Sequence, residues 1–371
     1  MSASAPSVFP APAVQGKRVA DGIAGMLEEL GVEHVFGVIG GACAPLADAI
    51  GKSGLRFLHT RHEAGAAFAA TEASLATGRP VAVLTTTGPG LLNALNGLAA
   101  ARWDGAKVVC LSAATAPAHL GRLPVQESGR LTLSHDALYS PGPLFDHAAL
   151  LTEATELVDL HRRLELGFAR PQGFVAQVGI STALQGQPLS APPAPRVRQL
   201  LRTSVSRDRL QEVSALLAAG PLGLWVGYGA RHAAAAVREL AERLGAGVMC
   251  TPRAKGVFPE GHPLYVGVTG AGGHQASAAY VQRARPRRTL VLGSRLGEAS
   301  SFWDARLVPA DGFVHVDVNA GAFGAAYPEA RTLGIEAEIG EFLEALLPLV
   351  PGGPRPAWPE PASPFPAPLL P

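Results

Sequence analysis

Charge is scarce in this 371-residue chain: Asp, Glu, Lys and Arg make up 16% of it, and the formal net charge is +1. With no basic or acidic block, there is no electrostatic reason to expect nucleic acid or an anionic membrane as a partner. Cysteine is rarer still. Cys43, Cys110 and Cys250 lie far apart in apolar surroundings and form no CxxC pair or Cys/His cluster. That excludes a disulfide framework and a cysteine metal site, and it favours a reducing compartment. No apolar run reaches the roughly 20 residues that a membrane span needs. The opening MSASAPSVFPAPAVQG has no basic stretch leading into an apolar one, so it does not read as a signal peptide. These absences leave a cytoplasmic protein as the expectation, with no metal site of its own.

What the chain does have is apolar residues, at 47% of the total, and a length suited to two domains. Residues 17–31 carry apolar positions at helical spacing and end on Gly31, followed by a short apolar run, HVFGVIGG. The alternation then repeats. Strands are predicted at 34–39, 55–59, 80–85, 107–113 and 173–179, with helices at 43–51, 62–77, 89–102 and 152–168. A second run has helices at 207–219, 233–244 and near 340–348, and strands at 222–227, 246–250, 288–292 and 313–318. Short apolar strands alternating with longer helices imply βαβ units, hence an α/β fold of two doubly wound parallel-sheet domains. The expected division is a first domain at 15–182, a linker at 183–204, a second domain at 205–350 and a proline-rich tail at 351–371.

Three segments of the first domain could carry chemistry. GVIGGACAPLADAI (37–50) reads as strand, Gly40-Gly41 turn and helix. TRHEAGAAFAATEASLATGRP (60–80) opens a helix with Arg61-His62-Glu63. TTTGPGLLNALNGLAAARWDGAKVVCL (85–111) reads as strand, Gly88-Pro89-Gly90 turn and helix. Each alone has a plain explanation: a tight glycine connection, or a helix-start acid that compensates the dipole. All three, however, follow strand C-terminal ends, where open parallel sheets bind ligands.

In this order and spacing the segments closely resemble the pyrimidine-binding domain of thiamine diphosphate enzymes of the acetolactate synthase type. Gln126-Glu127 resembles the family's active-site-loop pair, and RPQGFVAQVGI its closing strand. In the second half RAKGVFPEGHPLYVGVTGAGG (253–273), LVLGSRLGE (290–298) and FVHVDVNAGAFGAAYP (313–328) resemble the family's central domain. The resemblance implies that Glu63 is the acid that hydrogen-bonds N1′ of the cofactor's aminopyrimidine and favours its imino tautomer. The 4′-imino nitrogen then takes the thiazolium C2 proton, and the carbanion attacks a 2-oxo acid. Gly40, Gly41, Gly88, Pro89 and Gly90 would line the cofactor. Ile39, Phe68 and Gln126 would line the substrate pocket, with Phe68 and the 88–90 turn as walls around Glu63.

The family's third domain binds Mg²⁺ and the diphosphate through a GDG motif and a later asparagine pair, and neither occurs anywhere in this sequence. The resemblance therefore implies a separate subunit that carries the diphosphate-binding domain and holds the Mg²⁺, with two copies of each chain in a heterotetramer. The competing reading is a non-catalytic binding or regulatory relative that keeps the scaffold for assembly. Ile39 stands where some relatives place a proton-transferring histidine, and AATEASLA follows where AAEGYAR is commoner; both favour an acetolactate-synthase-like pocket. FAD near Arg295, Glu298 and Ser300 is left open, with a flavin-free scaffold preferred. His119, His135, His147 and His274 are scattered singly and read as loop or core residues. The GAGG at 270–273 is not read as a dinucleotide fingerprint, because no strand–turn–helix with a downstream ribose acid is evident around it.

Overall fold

In the computed structural model of the chain, residues 16–127, 138–189 and 205–351 are described. His135, most of the linker and nearly all of the proline-rich tail lie outside them. The chain divides into two compact units, one up to Leu201 and one from Arg202.

The first unit is a six-stranded, wholly parallel sheet. Its strands are β1 (His34–Gly37), β2 (Arg56–His59), β3 (Val81–Thr85), β4 (Lys107–Ala114), β5 (His147–Leu151) and β6 (Phe174–Ser181). Their order across the sheet is β2-β1-β3-β4-β6-β5. The chain steps outward from β1 to β2 and returns to build on the other side of β1. The winding therefore reverses between β1 and β3, and the crevice at their C-terminal ends is the switch point. Central strands β3 and β6 are buried along their whole length, which is why they read as nearly unbroken apolar runs.

Helices α1 (Val19–Glu29), α2 (Ala44–Lys52), α3 (Glu63–Thr77), α4 (Pro89–Asp104), α5 (Leu157–Phe168) and the short α6 (Thr182–Gln185) cover the two faces. His62 caps α3, its Nδ1 accepting from the amide of Ala64 at 3.1 Å. α3 stops at Gly78, in the left-handed region at φ 72°. Residues 183–189 belong with this unit, not with a free linker. The Val19 amide donates to the Gln187 carbonyl at 2.9 Å, and the Leu189 amide to the Lys17 carbonyl at 2.8 Å.

α3 and α4 lie against each other with almost no room between them. A β-carbon at Gly97 would stand 2.5 Å from the Ala67 β-carbon, and the Thr71 hydroxyl, which has the Ala67 carbonyl at 2.8 Å, stands 3.3 Å from the Gly97 carbonyl across the seam. The run of small residues in AAFAATEA is the sequence trace of that closeness.

The second unit has its own parallel sheet: β7 (Leu222–Val226), β8 (Gly247–Cys250), β9 (Tyr265–Val268), β10 (Arg288–Leu292), β11 (Phe313–Asp317) and β12 (Thr332–Glu336). The order is β12-β11-β10-β7-β8-β9, so the switch lies between β7 and β10. Helices α7 (Arg207–Ala218), α8 (Ala234–Leu244), α9 (Ala276–Ala284), α10 (Glu298–Ser301) and α11 (Ile339–Leu346) complete it. The Trp225 indole is fully buried, donates to Thr269 Oγ1 at 3.0 Å, and packs against Phe313 and Tyr327. Three strands escaped the sequence reading: β5, β9 and β12. β5 and β9 are short edge strands, and β12 is an edge strand broken by Gly334.

His315 sits inside this second core, with Nε2 2.8 Å from the Ser294 carbonyl and its ring edge-on to Phe323. Burial pushes its pKa down to about 4, against a smaller opposing effect of the Ser294 carbonyl. The unfolded chain takes up this proton near pH 6.5 and the folded chain only near 4. Stability is therefore lost as pH falls across that window, by on the order of 3 kcal/mol. Denaturant titrations of the full chain from pH 7 to 4 are expected to show a clearly shallower acid loss for His315→Gln. An unchanged pH slope would mean that His315 is not what makes the fold acid-sensitive.

Candidate active site

The first unit's switch point gathers the glycine turns and the acid. Glu63 opens α3 with only 8% of its surface exposed. A β-carbon at Gly90 would stand 3.3 Å from Glu63 Oε1 and 2.8 Å from Thr86 Cγ2. One at Gly40 would meet Thr86 Oγ1 at 2.7 Å. Thr86, in the turn after β3, thus lies between the two glycine turns and packs on both. A β-carbon at Gly41 would meet nothing within 4 Å, so the second glycine of that turn faces open space.

Gly88 is held at φ 50°, and a β-carbon there would come within 2.6 Å of the Gln126 carbonyl. The Gly88-Pro89-Gly90 turn and the Gln126-Glu127 pair, 38 residues apart in sequence, are therefore in direct contact. Gln126 itself is left-handed at φ 59°, as is Leu123 at φ 57°. The loop closes on Glu127, whose buried Oε1 accepts from the Gly121 amide at 2.7 Å.

The geometry adds a residue that sequence reasoning passed over. Asn93, one turn into α4 from Pro89, donates from Nδ2 to Glu63 Oε2 at 3.0 Å. Its only sequence signal was a polar position in the LLNAL stretch, which does not reveal a partner on another helix. Thr86, within TTT, was equally silent.

Phe68 and Ile39, expected as pocket walls, are 42% and 46% exposed. Cys43 makes a tight turn, its thiol donating to the Gly40 carbonyl at 3.4 Å. Burial raises the pKa of all three thiols, to about 12 for Cys110 and Cys250, which leaves them poor nucleophiles. The histidines do not gather. His119 is in an exposed turn, His147 is on edge strand β5, and His274 caps the start of α9 by accepting from the Ala276 amide at 3.0 Å. Among the described residues no group of three or more His, Cys, Asp or Glu is placed to hold a metal ion.

In the second unit, Gly227 and Gly229 pack directly on Gly293, and Tyr228 has the Arg231 and Arg253 guanidinium groups each 4.6 Å from its ring centre. Burial raises the pKa of Asp317, while Arg295 acts to lower it. The Ser300 carbonyl accepts from Thr269 Oγ1 at 2.7 Å. The GAGG segment lies in a seven-residue connection between β9 and α9, not in a tight strand–turn–helix. Gly270 and Gly273 are explained by close packing, a β-carbon at Gly270 lying 2.3 Å from the Ala299 carbonyl, and Gly272 by its left-handed backbone at φ 72°.

Comparison with known proteins agrees with this arrangement. Residues 17–133 match the thiamine pyrophosphate enzyme N-terminal TPP binding domain, and residues 213–346 match the central domain of the same enzymes. The chain belongs to the thiamine pyrophosphate (thiamine diphosphate) enzyme family. It is 28% identical to the acetolactate synthase isozyme 1 large subunit of Escherichia coli K12, over 91% of this chain and 59% of that protein. It is 30% identical to an acetolactate synthase of Mycobacterium avium, over 86% and 51%. It is 26% identical to a sulfoacetaldehyde acetyltransferase of Roseovarius nubinhibens, over 86% and 52%. The chain thus spans a little over half the length of these curated relatives. A structure from Mycobacterium smegmatis, described as a thiamin diphosphate-dependent enzyme, superposes with a TM-score of 0.77 at 21% identity, over 93% of this chain and 65% of that one. No helix among the described residues is long and apolar enough to cross a membrane.

The contact between Gly88 and the Gln126 carbonyl can be tested directly. Gly88→Ala combines a left-handed backbone with a 2.6 Å clash against main chain, at a cost of about 1–3 kcal/mol. A thermal scan is expected to show a Tm lower by several degrees, and limited proteolysis faster cutting near residues 120–127. A variant as stable and as resistant as the parent would mean that turn and loop do not touch.

Proposed function

We propose that the chain is one subunit of a two-chain thiamine diphosphate-dependent carboligase or decarboxylase acting on a 2-oxo acid, with Glu63 as its cofactor-activating acid. The observation that carries the reading is a buried carboxyl at the switch point, set against glycine turns that allow the backbone to approach it closely. Oε1 lies against Gly90, and Gly41 leaves open space on the neighbouring turn. Such a site suits a flat ring with a nitrogen that exchanges a proton with an acid. Gly40, Gly41, Gly88, Pro89, Gly90 and Glu63 would hold the pyrimidine, and the bound cofactor would supply the carbanion and electron sink for C–C bond chemistry. Glu63 holds or releases one proton there. The glycines allow close approach, and Gln126, over Gly88, would border the substrate side together with Ile39 and Phe68.

We assign the metal–diphosphate end to a separate subunit with its own GDG and asparagine motifs. Exposed apolar side chains around the strand ends support a covering partner: Ile39, Phe68, Leu92, Leu120, Leu123 and Val125. We place two copies of each chain in the assembly. A retained buried acid favours catalysis over a scaffold-only role, which would need no carboxyl at the switch point. The acetolactate synthase relatives favour carboligation as the outcome, and FAD is not required by this reading.

Two measurements follow. Calorimetry with thiamine diphosphate and Mg²⁺ is expected to find no tight site on the chain alone and a tight one once the partner is added; tight binding by the lone chain would sink the two-chain reading. Glu63→Gln keeps the shape of the side chain and removes its acid proton. Turnover in the reconstituted complex is expected to fall by at least ~10²–10⁴-fold, and activity within a few-fold of the parent would make Glu63 merely a helix-start residue.

A further inference from the structure

We propose that Asn93 is a positioning residue that decides which oxygen of Glu63 handles the proton. This inference rests on Glu63 being the activating acid. A carboxyl has two oxygens, and only one can carry the proton at a time. In this orientation the Asn93 amide nitrogen is the donor, aimed at Oε2 at 3.0 Å. An oxygen that accepts from an N–H is favoured as the unprotonated, carbonyl-like oxygen of the acid. The proton is thereby directed to Oε1, the oxygen that lies against Gly90, 3.3 Å from where a β-carbon would stand. On delivery, the Oε1–H bond breaks and an N–H bond forms on the ring nitrogen. The resulting charge is shared by both carboxylate oxygens, with the amide still donating to Oε2. Return of the proton reverses each change.

The surrounding packing makes this a fixed arrangement. Glu63 is the first residue of α3 and Asn93 lies in the first turns of α4, so their hydrogen bond crosses the seam between the helices. One turn further along each helix the next pair is Ala67 and Gly97, the tightest point of that seam, and the Thr71 hydroxyl then stands 3.3 Å from the Gly97 carbonyl. The helices can neither separate nor slide without breaking these contacts, so the separation of the two backbones that carry Glu63 and Asn93 is set by packing. Asn93 itself is exposed, so exchanging it removes a donor without opening the core.

The test uses Asn93→Leu, close in size and without a donor, and Asn93→Gln, which keeps the amide on a longer arm. In the full chain labelled with ¹³C at the glutamate carboxyl carbon, the infrared difference from Glu63→Gln isolates the Glu63 bands. Those bands are expected to shift in Asn93→Leu and to move back towards the parent position in Asn93→Gln. Bands unchanged in Asn93→Leu would overturn the proposal without reference to any cofactor or partner. In the assembly that turns over, Asn93→Leu is expected to lower kcat about 10-fold, the effect of one lost hydrogen bond to an ionisable group, with KM unchanged and partial rescue by Asn93→Gln. Shifted bands with parental kcat would remove the positioning role. Full activity of Glu63→Gln would instead overturn the functional reading and leave the infrared result standing.

Discussion

A carboxyl group taken out of water has to find donors and shape-matched neighbours, or the fold around it does not hold. Much of the first unit's construction at its strand ends follows from meeting that condition at Glu63. The acid begins a helix, where the local field favours a carboxylate, and it begins it immediately after a His62 cap that leaves the chain no slack. Its donor comes from the neighbouring helix, and the space beside its second oxygen comes from the glycine that starts that helix. Helix start, turn and seam therefore serve one geometric purpose.

Glycine is the means by which close approach is obtained, and its uses differ from place to place. At Gly97 it lets two helices approach until side chains would overlap; at Gly88 it allows a left-handed turn beneath a carbonyl from a distant loop. At Gly41 it does neither, since nothing of the chain lies within 4 Å of where a β-carbon would be. Two turns that look alike in the sequence thus divide into positions explained by the protein's own packing and one, Gly41, that packing does not explain. The second unit spends its glycines on packing, Gly227 and Gly229 against Gly293.

The fold was largely legible because parallel strands buried on both faces must be apolar throughout, and VAVLT or FVAQVGIS admit few other readings. Edge strands lose that signature. HAALL has no β-branched residue to mark it, YVGV is four residues long, and TLGIE carries a glycine and a charge. The site was legible as far as backbone demands reach: glycine where the chain turns sharply, an acid where a helix starts. Asn93 and Thr86 were not, because what matters about them is a distance across two elements, and local pattern carries no record of that distance.

The α3–α4 seam also bears on how this protein can change over generations. Because the acid and its amide partner stand one turn from Ala67 and Gly97, a larger residue in that second layer would be felt as a displaced hydrogen bond at the first. Drift at Ala67 and Gly97 is thereby tied to the geometry of the layer above them. The two-helix ladder itself can be inherited only as a unit.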